Sequence, residues 1–151
     1  MLEIQNSGRR LTMQDLTSLE EELSLVLPDS YRAFLLKHNG GRPVPEAFPI
    51  RGMKDNPVGS IHSFLGVDQR IESNNLMWTH QTLKHRLPPN LLAVAYTDTG
   101  DSICISLFGK DKGAVVLWDI QNEPQVPSYA NVYFVADDFQ TFLDTIHPYE
   151  G

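Results

Sequence analysis

Carboxylate side chains gather around two points where strands are expected to end. Asp98 and Asp101 bracket Gly100, and Asp119 and Glu123 follow farther along the chain. Paired carboxylates can serve acid–base catalysis or hold a divalent cation. Aspartates in a glycine-containing turn usually bond to their own backbone. A third interpretation is an acidic rim that attracts a basic protein partner.

Trp118 stands directly before Asp119 at the end of a predicted strand. It could anchor an interface, because tryptophan is enriched at interface hot spots. More often such a tryptophan covers the edge of the core and leaves one edge of its ring exposed, and we expect this of Trp118. Together with Trp118, the four carboxylates form the candidate partner-binding set.

The other reactive residue types do not form a recognisable catalytic or metal site. The histidines, which lack the close spacing of metal ligands, are His38, His62, His80, His85 and His147. Cys104 lies between isoleucines, with no base or positive group nearby in sequence to activate a thiolate. Glycine-rich phosphate loops and the GxSxG nucleophile elbow do not occur. We therefore expect no enzyme activity, no cofactor and no metal.

Composition favours a protein partner over nucleic acid or membrane. The 151 residues carry 19 acidic and 12 basic side chains, for a formal net charge of −7. A field of that sign repels phosphate backbones and anionic lipid surfaces. One cysteine permits no internal disulfide, which suits a reducing compartment. The start of the chain has no basic region followed by an apolar run, so we expect no signal peptide. We therefore expect a cytoplasmic location.

Helical patterns begin and end the chain. Thr12 is a predicted N-cap with Asp15 in capping-box position, and the stripe Leu16, Leu19, Leu23 and Val26 follows at helical spacing. A second helix begins near Pro28 and ends at residues 39–41, where Asn-Gly-Gly tolerates a left-handed conformation. A third helical region is expected over residues 70–86, with a break at residues 74–75. The final helix follows Asp137 or Asp138 and carries apolar residues at 139, 142, 143 and 146.

Strands are expected between these helices. Apolar and β-branched runs, separated by turn residues, are found at residues 47–50, 61–65, 91–96, 102–108, 114–118 and 132–135. Short loops between them predict antiparallel pairing. The sequence thus predicts one α+β domain over residues 1–151, with a core of about residues 12–147, in which helices pack a mainly antiparallel sheet.

Three segments in order resemble the SUKH superfamily, in the branch named for the yeast cell-wall-assembly regulator. They are residues 27–41 (LPDSYRAFLLKHNGG), residues 87–119, which include the Gly100-Asp101 turn and VVLWD, and residues 135–143 (VADDFQTFL). The resemblance runs from about Leu16 to Ile146. The motif residues expected to be structural are Pro28, Tyr31, Phe34, Asn39, Gly40, Gly41 and Gly100.

The resemblance implies a function that patterns alone do not supply. Many bacterial members look like immunity proteins that neutralise toxins, often nucleases, and eukaryotic members look like interaction modules. For this chain it implies a non-catalytic immunity protein whose partner is a basic toxin domain. The alternatives are a general regulatory interaction module, a small-ligand-binding protein or an enzyme.

Overall fold

The computed structural model describes residues 2–149, so Met1, Glu150 and Gly151 of the predicted domain lie outside the described residues. The strands are β1 Glu3–Gln5, β2 Arg42–Val44, β3 Ala47–Pro49, β4 Val58–Phe64, β5 Leu91–Thr97, β6 Ser102–Ser106, β7 Val115–Trp118 and β8 Val132–Ala136. The helices are α1 Met13–Leu23, α2 Asp29–Lys37, α3 Leu76–Leu83 and α4 Phe139–Thr145. The predicted α+β fold is confirmed.

A six-stranded antiparallel sheet forms the centre of the molecule. Its order is β3-β4-β5-β6-β7-β8, so that each strand pairs with its neighbour in sequence, and β1 and β2 form a separate antiparallel pair. Every residue of β6 and β7 is buried. Because alternate side chains of a strand face opposite sides, both faces of the central sheet are covered.

The two N-terminal helices follow the predicted caps. The Thr12 hydroxyl accepts a hydrogen bond from the Asp15 N–H, and the Asp15 carboxylate accepts one from the Thr12 N–H, which completes the capping box. The helix ends earlier than the apolar spacing predicts, because Ser24 adopts a left-handed conformation with φ of 54°. Val26 therefore lies beyond α1 and is 79% exposed, so its place in the apolar stripe was wrong.

Aromatic side chains join α2 and α4 to the sheet. The Tyr31 and Phe139 rings meet edge to face with centroids 5.1 Å apart, and the Phe34 ring lies 4.8 Å from Phe64 and 5.2 Å from Phe139. Such edge-to-face pairs contribute beyond the area they bury. Asp138 caps α4 by accepting the Thr141 N–H at 2.7 Å, which settles the predicted choice between residues 137 and 138.

Two regions differ from the sequence expectation. Residues 70–86 form a 3-10 turn at Glu72–Asn74 and then α3, so the predicted break is confirmed and the helix is shorter. The strands β1 and β2 were not predicted, because three-residue segments carry too few positions for an alternating pattern. The strand predicted over residues 102–108 ends at Ser106, and Phe108 is exposed.

The buried side chain of Asn39 connects three segments that are distant in sequence. Its amide nitrogen donates to the carbonyls of Arg9 and Val67, each at 2.9 Å, and its amide oxygen accepts the Val67 N–H at 2.7 Å. Gly66 packs against it so closely that a Cβ there would lie 2.5 Å from the amide oxygen. α2 itself ends at Lys37 with an extended C-cap at His38, so the predicted left-handed cap at residues 39–41 was wrong. Asn39 instead fixes two neighbouring segments just beyond the helix.

Replacing Asn39 with Ala is expected to lower the free energy of unfolding by about 2 kcal/mol, because it removes the acceptor of the Val67 N–H and a donor to the Arg9 and Val67 carbonyls. Urea unfolding followed by circular dichroism would measure the change. The matched control is Gln125→Ala, since Gln125 is exposed and makes no side-chain hydrogen bond within the described residues. If N39A loses no more stability than Q125A, Asn39 does not hold these segments together.

Candidate partner-binding surface

The turn between β5 and β6 positions the first carboxylates of the candidate set. Gly100 has a φ of 88°, a conformation that favours glycine. The turn is closed by the Gly100 N–H, which donates to the Thr97 carbonyl at 3.0 Å, and by the Thr97 N–H, which donates to the Asp101 carbonyl at 2.9 Å. The sequence therefore needs glycine here to bring Asp98 and Asp101 to the end of the sheet.

Asp101 acts as an internal hydrogen-bond acceptor. One carboxylate oxygen accepts the Ile120 N–H and the other accepts the Thr99 hydroxyl, each at 3.1 Å. The bond to Ile120 joins the β5–β6 turn to the segment that follows β7. Asp101 thus holds two loops of one sheet end together, in addition to any contribution of its charge to a partner surface.

The Asp119 carboxylate is also an internal hydrogen-bond acceptor. It caps the 3-10 turn Ile120–Asn122: its carboxylate accepts the Gln121 N–H at 3.1 Å and the Asn122 side-chain amide at 2.6 Å. Its backbone exchanges hydrogen bonds with Asn131, whose side chain donates to the Asp119 carbonyl at 2.8 Å. This carboxylate orders the loop between β7 and β8.

Trp118 is fully buried, so the expected exposed edge of its ring is not found. The guanidinium carbon of Arg86 lies 5.5 Å from the ring centroid, and Arg86 pairs with Glu123 through two hydrogen bonds of 2.7 and 3.0 Å. The hydrogen bond from Arg86 lowers the pKa of Glu123. This ion pair covers the tryptophan, which sequence spacing alone does not reveal because Arg86 and Glu123 are 37 residues apart.

Asp98 differs from the other candidates because it is exposed and its carboxylate has no hydrogen bond or ion pair among residues 2–149. It borders an open cleft of about 480 Å³, to which Glu46 and Asp101 add two further carboxylates and Ile50 and Leu117 add apolar surface. We call this the acidic cleft. Glu46 was not among the sequence candidates, because only the pairing of β3 with β4 and of β4 with β5 brings it near residue 98.

The chemistry available to the remaining reactive groups is limited. Burial raises the pKa of the Cys104 thiol, which keeps it protonated near neutral pH and weakens it as a nucleophile. Burial also lowers the pKa of His80, and the positive charge of Lys84 lowers it further. Over residues 2–149, no three His, Cys, Asp or Glu side chains converge as metal ligands. In the same range, no helix has the length and apolar character required to cross a membrane.

Comparisons with known proteins agree with this fold and its motifs. A family model described as the SMI1 / KNR4 family (SUKH-1) matches residues 10–145. The chain is also similar to the SPbeta prophage-derived uncharacterized protein YokK of Bacillus subtilis (strain 168). The two are 25% identical over 149 residues, which cover 87% of this chain and 72% of that protein.

Because Asp101 makes internal hydrogen bonds and Asp98 makes none within residues 2–149, replacing each one should change stability by different amounts. Asp101→Ala is expected to lower the free energy of unfolding by about 1–3 kcal/mol, because the Ile120 N–H loses its acceptor. Asp98→Ala is expected to change it by no more than about 0.5 kcal/mol, as is usual for an unbonded surface residue. Thermal and urea unfolding would measure both. Equal stability of the two variants would contradict the structural role of Asp101.

Proposed function

We infer function from one premise, that the chain belongs to the SMI1/KNR4 family (SUKH-1). We propose that it is a non-catalytic protein-binding domain, and specifically an immunity protein that binds and neutralises a bacterial toxin. Its site of action is then the cytoplasm, where a nuclease toxin meets its substrate. The proposed domain spans residues 1–151, with a core of about residues 12–147.

The observation that carries the proposal is the acidic cleft. A nuclease presents positive charge to the phosphates of its substrate, and a complementary acidic surface speeds association with it. Asp98 has no partner among the described residues, so its charge is available to an incoming cation, and Glu46 adds charge from the neighbouring strand. The formal net charge of −7 acts in the same direction over longer distances.

The use of the remaining carboxylates supports binding over catalysis. Asp101 and Asp119 each accept hydrogen bonds through both oxygens, and Glu123 is paired with Arg86. A general acid or base needs a carboxyl group that is free to exchange a proton with a substrate. These three groups instead hold loops at the sheet end, which leaves a shaped and negatively charged surface.

Co-expression tests the proposed function directly. The toxin domain encoded beside the gene for this chain would be induced in a bacterial host with and without the chain, and survival would be counted. We expect the chain to restore growth and the purified proteins to form a complex. Toxicity that persists despite a folded and abundant chain would contradict the immunity proposal.

Charge reversal in the acidic cleft tests how the partner is recognised. Asp98→Lys and Glu46→Lys are expected to slow association with the toxin about tenfold at low salt and to leave dissociation nearly unchanged, because these side chains steer the encounter. Surface plasmon resonance over a series of salt concentrations would measure both rates.

The matched control for charge reversal is Glu22→Lys, an exposed charge on α1 that lies outside the acidic cleft. Each variant changes the net charge by the same amount, so a purely global field would slow all three equally. Equal slowing by E22K and D98K would contradict a local role of the acidic cleft while leaving toxin binding itself established.

A further inference from the structure

A cleft lined by arginines lies where the β1–β2 pair meets β4 and the loop that precedes α3. Its volume is about 610 Å³, and its lining residues belong to segments 6–9, 41–42, 62–63 and 68–74. Three of them are Arg9, Arg42 and Arg70, although the whole chain has a formal net charge of −7. We propose that this arginine cleft binds the phosphate group of a small phosphorylated ligand. The proposal goes beyond toxin binding and does not depend on it.

Main-chain hydrogen bonds fix two walls of the arginine cleft. The Gly41 N–H donates to the Phe64 carbonyl at 3.2 Å, and the Phe64 N–H donates to the Gly41 carbonyl at 2.8 Å, so the start of β2 is joined to the end of β4. The Gly8 N–H donates to the Asn39 carbonyl at 2.8 Å, which holds segment 6–9 beside them. A site that is formed before binding loses little conformational entropy when a ligand arrives.

The loop that precedes α3 forms the third wall and is held by side-chain amides. The Gln69 N–H donates to the Asn75 side-chain oxygen at 2.8 Å, and the Asn75 amide nitrogen donates to the Gln69 carbonyl at 3.1 Å. The Gln69 side chain also donates to the Asn39 carbonyl at 3.0 Å. Arg70 directly follows Gln69, so its main chain is positioned by these bonds while its side chain stays exposed.

Two of the three arginines are available to an anion. Arg9 pairs with Asp15 and with Asp68, each at 3.0 Å, and Asp68 is the one carboxylate among the described residues that line the cleft. Arg42 and Arg70 are exposed and make no ion pair within residues 2–149. Arg9 with its two carboxylates carries one net negative charge, and Arg42 and Arg70 add two positive charges. The cleft is therefore locally positive in an acidic protein.

Neutral donors of the same cleft add to the arginines. The Tyr96 hydroxyl donates to the Asn74 side-chain oxygen at 2.6 Å, so the Asn74 amide nitrogen is left to donate to a ligand. The exposed His62 ring stacks on Tyr96 with centroids 5.0 Å apart, and its Nδ1 lies 3.1 Å from the Ser63 hydroxyl oxygen. When Nδ1 accepts that hydroxyl, Nε2 carries the ring proton and can donate to an anion.

The number of donors favours a phosphate group over a carboxylate. A phosphate monoester carries a charge of about −1.5 to −2 near pH 7 and three strong acceptor oxygens, more than a single carboxylate offers. Guanidinium groups bind phosphate oxygens through pairs of N–H donors. The volume of the cleft leaves room for the organic group that carries the phosphate. A long polyanion such as nucleic acid fits less well, because it would extend over the acidic remainder of the surface.

Titration of the full chain with small anions tests the arginine cleft. The probes are methyl phosphate, inorganic phosphate and the dicarboxylate succinate, and NMR of the ¹⁵N-labelled protein would follow the N–H signals of Gly8, Gly41 and the His62 ring. We expect saturable shifts with methyl phosphate and binding at least about tenfold weaker with succinate. Inorganic phosphate is expected to bind no more tightly than methyl phosphate.

Two variants identify the site of binding. Arg42→Ala and Arg70→Ala each remove an exposed guanidinium, and each is expected to weaken binding of methyl phosphate about tenfold. Circular dichroism would verify that both remain folded. The matched control is Arg10→Ala, because Arg10 is an exposed arginine next to Arg9 in sequence that does not line the cleft. It removes the same charge and is expected to change the affinity by less than about twofold.

The outcomes test the site and its chemistry separately. If R42A and R70A remain folded and bind methyl phosphate as tightly as the unaltered chain, the arginine cleft is not the site. Methyl phosphate that shifts no signal saturably also overturns the proposal. Equal affinity for succinate overturns the choice of phosphate, and binding of inorganic phosphate without methyl phosphate overturns the choice of an ester. None of these measurements uses the toxin, so this inference and the immunity function fail independently.

Discussion

The amide group of Asn39 is the point on which the arrangement of the N-terminal half depends. It satisfies two carbonyls and one N–H that belong to two separate segments, and Asn39 itself directly follows His38, the C-cap of α2. Its carbonyl also accepts the Gly8 N–H at 2.8 Å. An aliphatic residue of similar volume would remove the acceptor of the Val67 N–H and the donor to the Arg9 and Val67 carbonyls, although the main-chain bond to Gly8 would remain, so the requirement at the side chain is for an amide and not for bulk.

Hydrogen bonds extend from Asn39 to the start of α3 and to β5. Gly66, which packs against the amide, donates its N–H to the Asn74 carbonyl at 2.9 Å and accepts the Leu76 N–H at 2.8 Å. Leu76 is the first residue of α3, and the Asn74 side chain accepts the Tyr96 hydroxyl. The start of α3 and the position of the Tyr96 side chain are thus set by contacts that begin at Asn39, just beyond α2.

Local signals in the sequence were sufficient for much of the fold. The caps at Thr12 and Asp138 and the Gly100 turn were predictable because each rests on residues within a few positions of one another. The end of α1 was less predictable, since the left-handed Ser24 interrupts an apolar spacing that continues to Val26. The short strands β1 and β2 form because they pair with each other, and that is information that no single three-residue segment contains.

The candidate surface was harder to predict, because its properties come from contacts between distant residues. Trp118 was expected to be partly exposed but is buried, and the ion pair of Arg86 with Glu123 lies over its ring. Glu46 lies in the acidic cleft only because of strand pairing. The motif residues Asn39, Gly100 and Asp101 are occupied with the backbone. The Asp98 side chain makes no such bond, so we expect it to change without loss of the fold. In the proposed function, recognition of a partner relies on exposed carboxylates such as Asp98, whereas the motif maintains the scaffold that presents them.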